Sequence, residues 1–170
     1  MDRNELERIY DDHGAAVFGL FRRFVVDSVE AKDLMQDWVC KLAQSGVPSD
    51  LENERVWLLK VAYRMAVDWK RREGSRRHEA ARAEWVQMFP SLRTEADPDR
   101  EVMRLRIEEA LVDLADDQRL VVEMKLWDGL GFREIGEVLE ISTDTAASRY
   151  RYGTQKLREV LRPLYQELCE

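Results

Sequence analysis

The sequence predicts an all-α protein made of two small helical domains joined by a flexible linker. Apolar residues recur at helical rather than alternating spacing in almost every segment, and no run of β-branched residues bounded by turn signals is typical of a strand. A length of 170 residues, 45% of them apolar, is enough for one ordinary domain or two small ones. We place the domains at residues 1–75 and 98–170, and the linker at residues 76–97.

Three helices are predicted in the first domain. The first runs from about Asn4 to Val26, and the second runs from Ser28, a typical N-cap residue, to Gln44. Turn-forming residues at 45–50 precede a third helix from about Glu54 to Arg72. Its apolar face carries Leu58, Val61, Ala62, Met65 and Trp69. Its other face carries Trp57, Lys60, Arg64 and Arg71.

The linker is marked by a loss of periodicity between Gly74 and Pro98, although Glu79–Phe89 could form a short helix. Asp97-Pro98 is typical of a helix start, and it opens a helix of the second domain. The apolar stripe of that helix consists of Met103, Ile107, Leu111 and Leu114. We predict that Asp116 caps the next helix, which reaches about Leu126, and that Asp128-Gly129 forms a turn.

The C-terminal part of the chain has the pattern of a helix-turn-helix, in which a short helix and a tight turn precede a longer helix. The apolar or small positions of the short helix and turn are Phe132, Ile135, Gly136, Leu139 and Ile141. Ser142 or Thr143 caps the last helix, which we expect to reach about Leu161, shortly before Pro163.

The last helix has one face suited to DNA. Ala146, Tyr150, Gly153, Leu157 and Leu161 share the face predicted to be buried. Short hydroxyl, amide and guanidinium groups on the other faces suit base edges and phosphates in a major groove. The candidate DNA-binding residues are Thr143, Asp144, Ala147, Ser148, Arg149, Arg151, Tyr152, Gln155 and Arg158. Alternatively, this is the solvated face of an ordinary helix, because a lone helix-turn-helix pattern has many false positives.

Charge is distributed unevenly along the chain. The net charge is −7, which alone argues against a nucleic-acid partner. However, residues 55–82 hold nine basic and three acidic residues, and residues 141–162 hold five basic and two acidic residues. Two basic segments in an acidic chain indicate two separate contacts with phosphate, leaving acidic surfaces for another partner.

Aromatic residues are mixed with the basic residues of the first of these segments. Trp57, Tyr63 and Trp69 alternate there with arginines and lysines. Rings can stack on exposed bases while cations follow the backbone, so this mixture suits single-stranded or melted DNA. The alternative is that the tryptophans are core residues, and for Trp69 we favour that alternative.

Along nearly its whole length the chain resembles the extracytoplasmic-function (ECF) sigma factors of the sigma-70 superfamily. Residues 30–37 resemble the polymerase-binding helix of that family, and residues 57–72 resemble the helix that engages the minus-ten element. Residues 114–158 resemble the domain that reads the minus-thirty-five element. Two sets of motifs in the right order, with a linker of suitable size, are more specific than either set alone.

The resemblance implies an alternative sigma factor that directs bacterial RNA polymerase core to specific promoters, controlled by an anti-sigma factor. Its partners would be the clamp coiled coil and flap of the polymerase, promoter DNA and that anti-sigma factor. The polymerase-binding residues would be Asp33, Leu34, Gln36 and Asp37, with Leu34 buried against the clamp. The minus-ten residues would be Asn53, Arg55, Trp57, Lys60, Arg64 and Arg71. The loop at residues 45–53 would edge a pocket for a flipped base, and the connector would thread toward the active-site channel.

Four positions depart from the family pattern. The family often has Asn at position 64, Gly at 140, a basic residue at 147 and Arg at 152, where this chain has Arg64, Glu140, Ala147 and Tyr152. Glu140 must adopt the left-handed conformation at a cost or change the turn. The other three bear on which promoter sequence is read.

Other classes of protein fit less well. The first twenty residues lack a basic region followed by an apolar run, and no eighteen-residue apolar stretch occurs, so we expect a cytoplasmic protein without membrane insertion. Cys40 and Cys169 are widely spaced, and neither His13 nor His78 lies near a ligand cluster or nucleophile. We therefore expect no catalytic residue, cofactor or metal.

Two non-enzymatic alternatives remain open. A sigma-like adaptor that only titrates an anti-sigma factor is usually fused to a receiver domain and would not need both basic segments. A free-standing repressor or activator would not explain residues 28–72.

Overall fold

The computed structural model describes residues 1–25, 27–73, 110, 111 and 113–168. Within those ranges it contains six α-helices and no strand, so the all-α prediction is confirmed. The chain divides into two compact units, one containing the three N-terminal helices and one built around the last helix. The possible helix at Glu79–Phe89, most of the helix predicted from Asp97 and the predicted linker bounds lie outside the described residues.

The first unit consists of α1 (Arg3–Arg22), α2 (Ser28–Ser45) and α3 (Glu54–Glu73). Helix α1 contacts both of the others, and apolar residues from all three helices are buried between them. The largest buried side chains are Ile9, Leu20, Phe21, Trp38, Leu42, Leu58 and Leu59. Asp2 caps α1, because its carboxylate accepts a hydrogen bond of 2.8 Å from the backbone of Glu5.

The connection between α1 and α2 differs from the prediction in two ways. Helix α1 ends at Arg22 rather than near Val26, because the next backbone groups form tighter bonds, from Phe24 N–H to the Phe21 carbonyl at 2.9 Å. This bend brings Val25 into the core. The N-cap of α2 is Asp27, not Ser28, and the Asp27 carboxylate accepts a hydrogen bond of 2.9 Å from Val29.

Helix α3 has the predicted bounds, but the centre of its buried face is rotated from the prediction. The fully buried residues are Val56, Leu58, Leu59, Ala62 and Ala66. Val61, Met65 and Trp69, predicted to be buried, are only half-buried. Helix α3 packs against both α1 and α2, and with these two contacts its buried face centres near Leu59 and Ala66 rather than on the predicted stripe.

The second unit contains α4 (Asp116–Leu126), the first part of α5 (Phe132–Leu139) and α6 (Thr143–Leu168), whereas residues 137–140 group with the first unit. Gly129 has a φ of 68°, which confirms the predicted turn after α4. The N-cap of α4 is Ala115, which makes no side-chain cap. Asp116, predicted to be the cap, is instead the first helical residue, where its carboxylate faces the helix N-terminus and binds Arg119 at 2.9 Å.

The last helix is longer than predicted, since α6 continues through Pro163 to Leu168 rather than ending near Leu161. A proline inside a helix removes one backbone hydrogen bond but need not terminate the helix. Helix α6 packs along α4. Leu111, Leu114, Val121, Val122, Met124 and Leu130 are buried in this part of the chain.

Candidate nucleic-acid interface

The turn between α5 and α6 sets the direction in which α6 leaves the helix-turn-helix. Glu140 has a φ of 58°, so it adopts the left-handed conformation that the family pattern assigns to glycine. The Ile141 N–H donates to the carbonyl of Gly136 at 2.9 Å, which closes the turn. Ser142 then caps α6, because its hydroxyl accepts a hydrogen bond of 3.0 Å from the backbone of Thr145.

Two glycines permit close contacts that sequence reasoning did not foresee. A Cβ on Gly136 would lie 2.8 Å from the carbonyl oxygen of Ile141. A Cβ on Gly153 would lie 2.8 Å from the Val122 side chain, where α6 crosses α4. The only signal in the sequence was the presence of glycine inside helical patterns, which is consistent with a packing role.

Helix α6 buries the face predicted for it and exposes the stripe predicted to bind DNA. Ala146, Gly153 and Leu157 are buried, while Tyr150 and Leu161 are half-buried. Among the predicted DNA-binding residues, Thr143, Asp144, Arg151, Tyr152, Gln155 and Arg158 are exposed. Ala147, Ser148 and Arg149 are half-buried. The exposed members lie in the first turn of α6 and again between Arg151 and Arg158.

The arginines at the start of α6 are held in different ways. The Nε of Arg149 binds the Asp117 carboxylate of α4 at 2.9 Å, and 31% of the Arg149 side chain is exposed. Arg151 is exposed and lies over the ring of Tyr152, with its Cζ atom 5.1 Å from the ring centroid. Arg149 is therefore tied to the scaffold of the unit, whereas Arg151 projects from it.

The exposed face of α3 carries the second predicted DNA surface. Arg64 and Arg71 are exposed, while Arg55, Trp57 and Lys60 are half-buried. Trp57, Lys60, Arg64 and Arg71 occupy the face that the helical period assigned to them. A half-buried tryptophan beside cations keeps part of its ring accessible for stacking.

Asn53 has a structural role that sequence reasoning missed. Its side-chain oxygen accepts a hydrogen bond of 3.2 Å from the backbone of Val56, at the N-terminus of α3. Asparagine immediately before an apolar helical segment is a common capping residue, so the signal was present in the sequence. Any contact of Asn53 with the minus-ten element must therefore be made by a side chain that also caps α3.

A cluster of charged side chains joins α1 to the start of α3. Arg8 donates two hydrogen bonds to the Glu54 carboxylate, at 2.9 and 2.8 Å, and the Nε2 of His13 lies 3.2 Å from the same carboxylate. The bidentate Arg8 guanidinium lowers the pKa of Glu54 below its ordinary value, and the contact with His13 acts in the same direction. The cluster anchors the residues that follow the predicted base-binding loop.

The predicted polymerase-binding residues of α2 do not all share one surface. Asp33, Gln36 and Asp37 are exposed, but Leu34 is 6% exposed and lies in the core of its own unit. The expectation that Leu34 is buried against the polymerase is therefore wrong, because α1 and α3 pack against the face of α2 that carries it.

Two apolar grooves lie near the predicted contact residues, one in each unit. In the first unit, a groove of ≈ 500 Å³ beside Gln36 is lined by Tyr10, Phe18, Lys32, Met35, Val39 and Cys40. In the second unit, a groove of ≈ 500 Å³ is lined by Leu126, Tyr150, Thr154, Leu157, Arg158, Leu161 and Arg162. Both grooves are lined mainly by apolar side chains.

Within the described ranges, no group of three or more His, Cys, Asp and Glu side chains is arranged to hold a metal ion. Nor is any helix there both long and apolar enough to cross a membrane.

The chain is similar in sequence to a known protein family and to several known proteins. Residues 110–159 match the family model described as sigma-70, region 4, which spans α4, the turn and the exposed stripe of α6. The chain is 26% identical over 161 residues to the ECF RNA polymerase sigma factor SigL of Mycobacterium tuberculosis, covering 94% of this chain and 90% of SigL. It is 28% identical over 165 residues to SigK of Mycolicibacterium vanbaalenii, covering 94% and 83% of the two chains.

Solved structures share the fold. The sigma factor RpoE of Bartonella quintana, solved with the anti-sigma factor NepR, matches with a TM-score of 0.67 and 18% identity. That match covers 93% of this chain and 97% of RpoE. CnrH, solved with the cytosolic domain of CnrY, matches with a TM-score of 0.62 and 17% identity, covering 95% of this chain and 90% of CnrH.

Proposed function

We propose that this chain is a sigma factor of the ECF group, which it resembles over most of its length, and that it directs bacterial RNA polymerase core to specific promoters. The observation that carries the proposal is the exposed stripe of α6, which a tight turn presents inside the matched region 4. A helix presented in this way suits insertion into a major groove. Such a protein acts in the cytoplasm as an initiation factor, not as an enzyme.

Within this function, the two basic surfaces have different DNA partners. The exposed stripe of α6 contacts the minus-thirty-five element, where Arg151 reads a base and Arg149 contacts a phosphate. The face of α3 around Trp57, Lys60 and Arg64 contacts the minus-ten element once it is melted. Exposed bases offer faces on which the Trp57 ring can stack, whereas a duplex does not.

The polymerase clamp contacts the exposed side of α2. Asp33 and Asp37 pair with basic residues of the clamp. Because Leu34 is buried within its own unit, the apolar contact is made instead by the groove of the first unit, which receives an apolar side chain of the clamp. An apolar contact beside charged pairs gives both affinity and register.

The groove of the second unit has the chemistry of a helix-binding site. Its base is apolar, and Arg158 and Arg162 contribute positive charge to its lining. An amphipathic helix with acidic residues fits such a groove. We propose that the polymerase flap binds there, and that an anti-sigma factor competes with the polymerase for this chain.

Transcription in vitro tests the proposed function directly. Purified protein and core polymerase are incubated with a library of promoter fragments, and transcripts that depend on the protein are sequenced. We expect the templates of those transcripts to share an upstream motif and a minus-ten motif. A library without any protein-dependent transcript would contradict the proposal.

Asp33→Arg tests the clamp contact, and Glu7→Arg is its control. Both substitutions change the charge of an exposed side chain by the same amount, on α2 and on α1 respectively. We expect only Asp33→Arg to weaken capture of core polymerase. Leu34→Glu is unsuitable for this test, because it would place a carboxylate in the core and unfold the unit. Equal capture by both variants would show that the clamp binds elsewhere.

A further inference from the structure

Arg151 and Tyr152 contact each other on the exposed surface of α6. Tyr152 is 52% exposed, so its ring is not part of the core. The Arg151 guanidinium lies over that ring, 5.1 Å from its centroid, and its Nη2 donates to the Tyr152 hydroxyl at 3.5 Å. Successive helical residues point roughly 100° apart, so the two side chains meet only because both lean toward one another.

The geometry of an arginine over a ring leaves its recognition groups available. A stacked guanidinium uses its flat face, whereas its N–H groups radiate in the plane of the fork. Those in-plane groups are the ones that form a bidentate contact with a guanine. The contact therefore restricts the rotamers of Arg151. The one Nη2 N–H that donates to the Tyr152 hydroxyl still leaves a second Nη2 N–H and both Nη1 N–H groups to read a base.

Arg149 provides a contrast within the same helix. Its Nε is bound by the Asp117 carboxylate at 2.9 Å, so a DNA phosphate must compete with, or share, that negative charge. The Tyr152 side chain has no carboxylate that would repel a phosphate. Of the two supports, only the ring can hold a guanidinium close to DNA without electrostatic cost.

We propose that Tyr152 is a positioning residue for Arg151, holding its guanidinium for a bidentate contact with one guanine of the upstream promoter element. The proposal rests on the proposed function. It also assigns a role to the departure at position 152, where the family pattern has Arg. An arginine there would add a cation that attracts every sequence alike, whereas the tyrosine ring improves the placement of the neighbouring base-reading cation.

The test measures base preference in the holoenzyme. Core polymerase is combined with the wild-type protein, Tyr152→Ala, Tyr152→Phe, Arg151→Ala or the Tyr152→Ala/Arg151→Ala double variant. Each holoenzyme selects from promoter duplexes randomised in the upstream element, and enrichment is measured at every position. Thermal unfolding of each free protein checks that folding is unchanged.

The expected result is an effect of Tyr152 confined to the position read by Arg151. Arg151→Ala should abolish preference at one position, and Tyr152→Ala should weaken preference at that same position by about two- to fivefold, as expected for losing an exposed cation–π contact. Tyr152→Phe keeps the ring and should stay close to wild type. The double variant should match Arg151→Ala, because a positioning residue has nothing left to position.

Three results would overturn the inference. Tyr152→Ala could change a different position or add to the loss in the double variant, in which case the ring contacts DNA itself. Tyr152→Ala could leave preference unchanged while Arg151→Ala abolishes it, in which case the ring has no role. A wild-type holoenzyme that enriches no upstream sequence would refute the proposed function itself, and the inference with it.

Discussion

Among single residues, those in the turn between α5 and α6 are under the tightest conformational constraint. Glu140 is the one non-glycine residue with positive φ among the described residues, and Gly136 lies where any side chain would meet the Ile141 carbonyl. A left-handed conformation costs an L-residue roughly 1–2 kcal/mol. The turn therefore holds a conformational penalty that glycine at position 140 would relieve.

Glu140→Gly is expected to stabilise the protein by about 1 kcal/mol, because glycine adopts positive φ without steric cost. Glu137→Gly is the matched control, since Glu137 is exposed and lies within α5. There the same substitution should destabilise by about 0.5–1 kcal/mol, through the low helix propensity of glycine. Thermal unfolding followed by circular dichroism measures both variants, and a shift of the same sign in both would contradict this account.

Where whole helices meet, the contact of α4 with α6 depends on the absence of a side chain at Gly153. We expect Gly153→Ala to destabilise by about 1–3 kcal/mol, because its Cβ would overlap the buried Val122. Gly19→Ala in α1 is the control, since a Cβ there has nothing within 4 Å. Helix propensity should make Gly19→Ala stabilising by up to about 1 kcal/mol. Urea unfolding of both variants tests the difference, and a stabilised Gly153→Ala would mean that the helices separate at little cost.

The contact between α1 and the start of α3 makes the stability of the first unit depend on pH. The pKa of Glu54 is lowered in the folded state by the bidentate Arg8 guanidinium, so the unfolded state binds protons more readily. The stabilisation is then fully present above the ordinary carboxyl pKa near 4.5, and it is lost as pH falls through the lower folded-state value.

Glu54→Gln should therefore destabilise the protein at pH 7 by about 1 kcal/mol, as expected for a partly exposed ion pair with good geometry. The difference between variant and wild type should shrink as pH falls below 4.5. Glu7→Gln, which removes the exposed pair between Arg3 and Glu7, should change stability little at any pH. Melting temperatures across this pH range test the prediction, and a pH-independent deficit in Glu54→Gln would show that charge is not responsible.

Across the whole molecule, charge distribution governs how the protein meets DNA. The net charge is −7, while the two basic segments carry +6 (residues 55–82) and +3 (residues 141–162). Beyond about 8 Å, the Debye length at physiological salt, a duplex meets little net attraction. Under the proposed function, core polymerase binds both units and so raises the effective concentration of the second DNA contact once the first has formed.

We therefore expect the free protein to bind promoter duplex no better than scrambled duplex at physiological salt, whereas the holoenzyme prefers the promoter. Fluorescence anisotropy of labelled duplexes measures the affinity of the free protein and of the holoenzyme. The free protein should bind DNA that contains a bubble of unpaired bases more tightly than it binds the fully paired duplex. Tight, sequence-specific duplex binding by the free chain would instead favour a free-standing repressor or activator.

Local patterns in the sequence were sufficient for the presence and order of the described helices, the helix-turn-helix and much of the exposed stripe of α6. They were not sufficient for the C-terminal ends of α1 and α6 or for the N-caps of α2 and α4. Helical period, turn residues and caps act over a few residues, so the bounds of α3 and α4 and the positive φ at Gly129 follow from short segments. The same locality explains why Arg151 and Gln155 are exposed as predicted while Ala146 is buried.

Only the tertiary structure decided which side chains are buried or bound to other residues within each unit. Leu34 is in the core, Arg149 is bound to Asp117, and Gly153 lies against Val122, because another helix packs there. Arg8 meets Glu54 across 46 residues of sequence, a distance over which no local period carries information. The sequence by itself determined which elements form and which residue types they display. Three-dimensional packing determined which of those residues remain available for DNA and polymerase, because contacts between distant segments form only when the helices assemble.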